Sequence, residues 1–176
     1  MTLPTWITLA RLGAIPLILW GLAQGSLTGR WVALIAFGVG SLTDWLDGYL
    51  ARRLHQTSEL GKFLDPLVDK LLVMAPLLAL LEQARIPAWG VFLILGREIT
   101  IAGWRVNQTQ ISGANLWGKA KTVTQMAALV VLMGEWPGGI PLFWLAVVLT
   151  LISGLTYVLP IVPKAAEAEQ QPNSLG

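Results

Sequence analysis

The sequence contains no cysteine and a single histidine, and charged side chains make up only 12% of its 176 residues. Without cysteine, the chain forms neither disulfides nor thiolate metal sites. His55 alone does not supply the ligands of a zinc centre. The net charge of +2 is small and is carried by scattered residues, so we predict no nucleic-acid partner.

Apolar residues are abundant, at 55% of the chain, and the mean hydropathy is +0.64. Soluble domains are less apolar than this. Because a membrane-crossing helix takes about 20 residues, the length accommodates six. We therefore predict an all-α integral membrane protein with six transmembrane helices in one bundle. The start of the chain lacks a basic segment and Arg11 interrupts its apolar run, so we expect the first span to be retained.

Short connections rich in polar residues, glycine or proline separate the predicted spans. The spans run approximately over residues 6–22, 31–54, 60–81, 88–106, 116–133 and 142–162. The connection 25–30 is predicted as a turn and 134–141 as a tight loop. Residues 1–163 form one predicted domain, and residues 164–176 form a polar, disordered cytoplasmic tail.

The distribution of basic residues predicts the orientation of the bundle. Of the 12 lysines and arginines, only Arg30 and Arg85 fall on one side of the predicted membrane. The side with the excess of basic residues is the cytoplasmic side. We expect a multi-pass protein of the cell membrane with both termini in the cytoplasm.

Four aspartates interrupt the second and third predicted spans, at Asp44, Asp47, Asp65 and Asp69. Helical spacing puts each pair on one face of its helix. Four unpartnered aspartates at membrane depth would cost on the order of 10 kcal/mol, and converging carboxylates repel one another unless cations lie between them. Hard oxygen ligands suit Mg²⁺, Mn²⁺ or Ca²⁺. We predict a divalent metal site at the cytoplasmic side of the membrane, for two ions.

Small residues accompany these acids at helical spacing. Gly48, Ala51 and Gly61 leave room for a bulky ligand, and Arg52 supplies a cation for phosphate oxygens. Acids, small residues and arginine together predict a diphosphate pocket.

The combined pattern resembles a known family signature. Asp44-x-x-Asp47-Gly48-x-x-Ala51-Arg52, eight residues, then Gly61-x-x-x-Asp65-x-x-x-Asp69 is similar to the full motif of the CDP-alcohol phosphatidyltransferases. Three further segments, beginning at Pro4, Gly96 and Gly118, resemble the bacterial branch that makes phosphatidylglycerol phosphate.

The resemblance implies a reaction and roles for the motif residues. The phosphatidyl group of CDP-diacylglycerol would move to glycerol 3-phosphate, releasing CMP, in a homodimeric six-helix protein. Asp44, Asp47, Asp65 and Asp69 would hold two Mg²⁺ or Mn²⁺ ions, and Asp69 would also be the general base. The CDP site would be formed by Asp44, Asp47, Gly48, Ala51, Arg52, Gly61 and Asp65.

An anionic acceptor needs cations of its own. The available set lies near the cytoplasmic ends of the fourth and fifth spans: Arg97, Arg105, Lys119 and Lys121. We predict that these residues bind the acceptor phosphate. Thr8 and Arg11 either lie at the rim of the pocket or anchor the first helix at the interface.

The residues alone leave further interpretations open. Inositol phosphate, serine or phosphatidylglycerol could replace glycerol 3-phosphate as acceptor in the same chemistry. Intramembrane acids also mark ion pathways, so an ion-coupled transporter is a remote alternative. The acids crowd one side of the membrane and no internal repeat is visible, which favours the enzyme. Glu98 either orients an arginine or touches ligand, and Lys70 is expected to pair or to reach the interface.

Overall fold

Six α-helices make up the computed structural model of the protein, which describes the backbone of residues 3–54, 59–106 and 116–158 and the side chains of residues 11–43, 67–103 and 118–155. The helices are α1 (Leu3–Ala23), α2 (Leu27–Leu54), α3 (Glu59–Glu82), α4 (Ala88–Val106), α5 (Leu116–Met133) and α6 (Gly139–Val158). No strand occurs in these ranges. The prediction of six helices is confirmed. The predicted tail lies outside the described residues.

The bounds of α4 and α5 match the predicted spans, whereas α2 begins earlier than predicted. The prediction of a turn over residues 25–30 is wrong from Leu27 onward, because these residues belong to α2. Ser26 caps the helix, because its Oγ accepts a hydrogen bond from the backbone N–H of Gly29 at 3.0 Å. This bond satisfies one of the N–H groups that a helix start leaves open. The connection between α1 and α2 is therefore residues 24–26, in which Gly25 has a φ of 60°.

Helix α6 also begins earlier than predicted, at Gly139. The predicted loop therefore ends before Pro141, because proline is tolerated in the first helical turn. Gly139 also lies against α5: a Cβ there would come within 2.7 Å of Leu132 Cδ2. The predicted end of this span at residue 162 lies outside the described residues.

Close packing of α1 against both α2 and α3 forms one half of the bundle, and α5 packs against α6 in the other half. Glycine permits the α1–α2 approach, since a Cβ at Gly21 would lie 2.5 Å from the carbonyl oxygen of Gly29. Helix α4 packs on α6. The core between the helices is formed by apolar side chains that include Ile18, Leu22, Phe37, Leu72, Leu80, Ile94, Leu129, Met133, Phe143 and Val147.

Helices α3 and α5 end in the same way. At each end one residue adopts a left-handed conformation, Ala84 with a φ of 54° and Glu135 with a φ of 58°. The following N–H then bonds back five residues: Arg85 N to Leu80 O at 2.9 Å and Trp136 N to Val131 O at 3.0 Å. This is the arrangement of a Schellman motif, which normally places glycine at the left-handed position.

Large apolar side chains also point outward from the bundle. On α2, Trp31, Ile35 and Leu42 are between half and two thirds exposed, and Trp89 on α4 is 75% exposed. Exposed apolar side chains, where they form a large patch, are typical of surfaces that contact lipid or a protein partner. Within the described residues, no helix combines the length and the mean hydropathy required to cross a membrane.

Candidate functional site

The packing of α1 against α3 joins Arg11 to Asp69. Arg11 Nη1 donates to Asp69 Oδ1 at 2.5 Å. Arg11 is only 2% exposed, whereas the Asp69 side chain is 40% exposed. One oxygen of Asp69, which sequence analysis assigns as the general base, therefore accepts a hydrogen bond from a buried cation, while 40% of the side chain stays exposed to solvent. Such a pair keeps a carboxylate oriented and leaves it accessible to a ligand.

The other three predicted metal ligands lie in the helices that the prediction requires. Asp44 and Asp47 belong to α2, and Asp65 belongs to α3 four residues before Asp69. Their side chains are outside the described ranges. Among the side chains of residues 11–43, 67–103 and 118–155, no group of three or more potential ligands is placed to hold a metal ion. The metal site consequently stays a prediction.

The remaining motif residues occupy the same two helices. Gly48, Ala51 and Arg52 lie in the last two turns of α2, and Gly61 lies in the first turn of α3. Thr8 belongs to α1. The side chains at these positions, like that of Arg105 at the end of α4, are outside the described ranges. Their assignment to the CDP site, the rim and the acceptor site stays a prediction.

A second charged group joins four helices, and we call it the Glu98 cluster: Lys70, Arg97, Glu98, Lys121 and Ser153. Glu98 Oε2 accepts from Lys70 Nζ at 3.1 Å, and its Oε1 accepts from Arg97 Nη1 at 3.1 Å. Lys121 Nζ donates to the same Oε1. Arg97 Nη2 donates to Ser153 Oγ at 2.9 Å. Helices α3, α4, α5 and α6 thus each contribute to this cluster.

The cluster is accommodated by small residues of α6. Ser153 is fully buried, and a Cβ at the next residue, Gly154, would come within 3.3 Å of Arg97 Cγ. Any larger side chain there would press on the arginine stem. The guanidinium is therefore held between its own neighbour Glu98 and the hydroxyl of Ser153. Lys121 is also buried, at 7% exposure.

The structure separates the cations that the sequence grouped together. Arg97 and Lys121 converge on one carboxylate, whereas Lys119, two residues from Lys121 on α5, is exposed. Lys70 joins them, although the sequence offered it only as a pairing residue. The signal that would have found it is Glu98 itself, since a carboxylate within an apolar helix requires cationic partners.

The charges of the Glu98 cluster do not cancel within it. Three cations, Lys70, Arg97 and Lys121, surround one carboxylate. Counted over these four described side chains alone, the sum is three minus one, or two positive charges, and Arg97 and Lys121 are largely buried. A phosphate monoester carries between 1.5 and 2 negative charges at about pH 7. One turn from Lys121 lies Gln125, 5% exposed, whose Nε2 has no hydrogen-bond partner among the described residues.

A cleft of about 370 Å³ lies at the other end of the bundle, where α3 and α5 finish. It is lined by Arg85, Leu132, Glu135, Trp136 and residues 138–141. Glu135 contacts two arginines there: Arg85 Nη1 lies 3.3 Å from Glu135 Oε1, and Arg30 Nη1 donates to Glu135 Oε2. Arg85 Nη2 further donates to Leu132 O at 2.6 Å. None of the residues that line this cleft belongs to the site predicted from the motif.

Comparison with known proteins defines the class to which this arrangement belongs. Residues 1–152 match the profile of the CDP-alcohol phosphatidyltransferase family. The chain is a member of that family, as the spacing of the aspartates indicated.

Relatives with curated names narrow the comparison. A CDP-diacylglycerol–glycerol-3-phosphate 3-phosphatidyltransferase of Bacillus subtilis is 37% identical, over 88% of this chain and 92% of its own length. The protein of the same name from Escherichia coli K12 is also 37% identical, over 89% of this chain and 92% of its own length. A rice cardiolipin synthase (CMP-forming) is 35% identical, over 80% of this chain and 48% of its own length.

Proposed function

We propose that this protein transfers the phosphatidyl group of CDP-diacylglycerol to glycerol 3-phosphate, giving phosphatidylglycerol phosphate and CMP, as a step of phospholipid biosynthesis. Relatives that share more than a third of its residues over most of their length carry the name of this activity. The observation that carries the proposal is the Glu98 cluster. One of its three cations, Lys70, follows Asp69 directly on α3, so the cluster adjoins the proposed base, where the acceptor of this reaction would need to be bound.

The reaction is a displacement at phosphorus. The acceptor hydroxyl forms a bond to the β-phosphorus of CDP-diacylglycerol, and the bond from that phosphorus to the oxygen of CMP breaks. The hydroxyl proton passes to a carboxylate of Asp69, the proposed general base. Arg11 supports this role by holding one oxygen of Asp69, while 40% of that side chain stays exposed.

Asp44, Asp47, Asp65 and Asp69 are the proposed ligands of two Mg²⁺ or Mn²⁺ ions. The donor set fits such ions, because all four groups are hard carboxylate oxygens and cysteine is absent from the chain. Divalent ions bound there would neutralise charge on the diphosphate and on the departing CMP. Gly48, Ala51, Arg52 and Gly61 complete the proposed CDP site, with Arg52 as the additional cation for phosphate oxygens.

The proposed acceptor subsite centres on Arg97 and Lys121. Burial of both side chains raises the strength of their attraction to an anion, because water screens it less. Arg105, two turns beyond Arg97 on α4, is proposed to reach the same phosphate. Lys119 is exposed, so its proposed contribution is to attract the acceptor rather than to hold it.

We further propose that the helices cross the cell membrane with both termini and the active site on the cytoplasmic side. Support comes from the mean hydropathy of the whole chain and from the apolar side chains on the outside of α2 and α4. The lipid tails of the substrate also require access from a bilayer. A homodimer is proposed on the strength of the family resemblance alone, and chemical cross-linking of the protein in membranes tests it.

Family membership favours an enzyme over an ion-coupled transporter, and it leaves the acceptor as the point to test. Phosphatidylglycerol is the alternative acceptor substrate that a specific observation favours, because one relative is named a cardiolipin synthase (CMP-forming). Phosphatidylglycerol has a phosphodiester headgroup with one negative charge, so it uses less of the cluster's surplus than a phosphate monoester does. Inositol phosphate and serine are also candidate acceptors.

The deciding experiment measures CMP release by the purified protein from CDP-diacylglycerol. It is run with Mg²⁺, with Mn²⁺ or with chelator, and with glycerol 3-phosphate, inositol phosphate, serine or phosphatidylglycerol as acceptor. Metal-dependent release with glycerol 3-phosphate alone is expected. Release with a different acceptor instead would keep the chemistry and refute the proposed substrate, and no release with any acceptor would refute the activity.

A further inference from the structure

We infer that Glu98 is a positioning residue for the acceptor, a carboxylate that holds Lys70, Arg97 and Lys121 in one place so that they meet the acceptor's phosphate together. This inference rests on the proposed function. It assigns to Glu98 a role through its neighbours and no contact with the reacting atoms.

The geometry carries the inference, because Glu98 uses both of its oxygens. Oε1 accepts from Arg97 and from Lys121, and Oε2 accepts from Lys70. These three partners come from α3, α4 and α5, so one carboxylate fixes the relative positions of three helices at this level. Ser153 fixes the other side of the Arg97 guanidinium.

Electrostatics explains why the cations need this carboxylate. Like charges within a few ångströms repel strongly where water is excluded. The side chains of Arg97 and Lys121 are 12% and 9% exposed, so solvent screens them poorly. Without the Glu98 carboxylate, the cationic groups of Arg97 and Lys121 would move apart, toward solvent or toward other hydrogen-bond acceptors in the protein. The phosphate would then meet scattered cations instead of a preformed set, and preformed donors bind more tightly.

The cluster is also connected to the proposed base through the backbone. Lys70 follows Asp69 directly on α3, and Asp69 is in turn held by Arg11 of α1. Glu98 accepts a hydrogen bond from Lys70, the residue next to the proposed base. Its position therefore sets where the acceptor phosphate lies relative to the carboxylate that removes the hydroxyl proton.

A different role for Glu98 makes the opposite prediction. If the carboxylate merely competed with phosphate for the cations, removing its charge would strengthen acceptor binding. If it organises them, the same change weakens acceptor binding. The isosteric substitution Glu98→Gln distinguishes the two, because it keeps the shape and removes the charge.

The test is steady-state CMP release by the full-length protein, with the KM for glycerol 3-phosphate and the KM for CDP-diacylglycerol measured separately. We expect Glu98→Gln to raise the KM for glycerol 3-phosphate about tenfold or more, the size expected for lost charge-assisted hydrogen bonds. The KM for CDP-diacylglycerol should change less than about twofold, because the cluster does not bind that substrate. Glu98→Asp should recover part of the affinity, since it keeps the charge on a shorter stem.

Glu135→Gln is the matched control, since Glu135 also bridges two cations, Arg30 and Arg85, but at the other end of the bundle. It should lower the melting temperature and leave both KM values in place. A lower KM for glycerol 3-phosphate in Glu98→Gln, or equal changes in both KM values, would overturn the inference. If Glu98→Gln is too unstable to assay, Glu98→Asp decides by the same ratio of KM changes.

The assay of the wild-type protein distinguishes an error in the proposed substrate from an error in the proposed role of Glu98. If the wild-type protein releases no CMP with glycerol 3-phosphate, the proposed substrate is refuted, but the inference that Glu98 positions the three cations is not. In that case the acceptor that wild type does use replaces glycerol 3-phosphate in the comparison.

Discussion

Arg11 and Asp69, 58 positions apart in the chain, form a contact of 2.5 Å between α1 and α3. The arginine is almost fully buried, and the aspartate is partly open. A buried guanidinium whose partner loses its charge is destabilising. The proposed base is thus part of what holds the first helix to the third, and a change at either residue should be felt in both stability and activity.

Asp69→Asn should therefore lower CMP release by at least about 100-fold, the range expected for loss of a general base. Because the amide keeps the shape, binding of CDP-diacylglycerol should survive in part. Arg11→Met should lower the free energy of unfolding by about 2 kcal/mol, as expected for a lost charge-assisted hydrogen bond. Thermal unfolding and single-turnover assays measure both. Near-normal turnover in Asp69→Asn would rule out its role as base.

Burial should decide which lysine of α5 matters to the acceptor. Lys121→Met removes a buried cation of the Glu98 cluster and should raise the KM for glycerol 3-phosphate about tenfold. Lys119→Met removes an exposed cation whose attraction is screened, so its effect should be smaller and should fade as salt is raised. Kinetics at low and high ionic strength make the comparison. Equal effects of both changes at high salt would contradict the assignment of Lys121 to the subsite.

Chelation should stop the reaction reversibly. If four carboxylates hold two divalent ions, EDTA should abolish CMP release, and Mg²⁺ or Mn²⁺ should restore it. Asp65→Asn should raise the metal concentration needed for half-maximal activity, since it removes one ligand charge. Activity that persists in excess EDTA after dialysis would contradict the proposed metal site.

The buried side chain of Gln125 predicts a change in stability that can be measured without an activity assay. A buried amide without a partner costs about 1 to 3 kcal/mol, and Gln125 Nε2 has none among the described residues. Gln125→Met keeps the length of the side chain and removes the amide, so it should raise the free energy of unfolding by about 1 kcal/mol. Chemical unfolding of the protein in micelles measures the difference. A loss of stability would show that the amide has a partner that the described residues do not include.

The left-handed end of α3 predicts a stabilising substitution. Ala84 has a φ of 54°, a conformation that costs a residue with a Cβ about 1 kcal/mol or more. Ala84→Gly should raise the free energy of unfolding by about 0.5 kcal/mol, because part of the gain is offset by the greater freedom of glycine in the unfolded chain. Ala127→Gly, at an exposed position inside α5, is the control and should cost about 1 kcal/mol. Destabilisation by both would mean that the strain at Ala84 is relieved elsewhere.

Sequence periodicity predicts the helices well, because long apolar segments bounded by polar connections leave little choice. The bounds of α4 and α5 are reproduced, and the errors larger than one residue in the described ranges fall at helix starts. There a local contact decides: the Ser26 hydroxyl extends α2 backward, and the fit of Gly139 against Leu132 extends α6. Hydropathy does not register a single capping bond or the absence of a Cβ.

The site divides in the same way between what spacing reveals and what it hides. The aspartate motif is local, so its helices and its family follow from the chain alone. The partnership of Arg11 with Asp69 and the meeting of Lys70, Arg97 and Lys121 depend on which helices pack together. Lys119 and Lys121 look alike in sequence, and only their angular positions on α5 distinguish them.

The ion pairs at the C-terminal ends of α3 and α5 have a consequence for local opening of the helices. Glu135 clasps Arg30 and Arg85 where both helices turn, and Arg85 also holds the carbonyl of Leu132. These contacts join α2, α3 and α5 at one end of the bundle, so we expect local opening of the helices to be less frequent there than at the opposite end. Amide hydrogen exchange should accordingly be slower around residues 79–84 and 129–134 than around residues 67–71 and 118–122. Breaking the clasp with Glu135→Gln should narrow that difference.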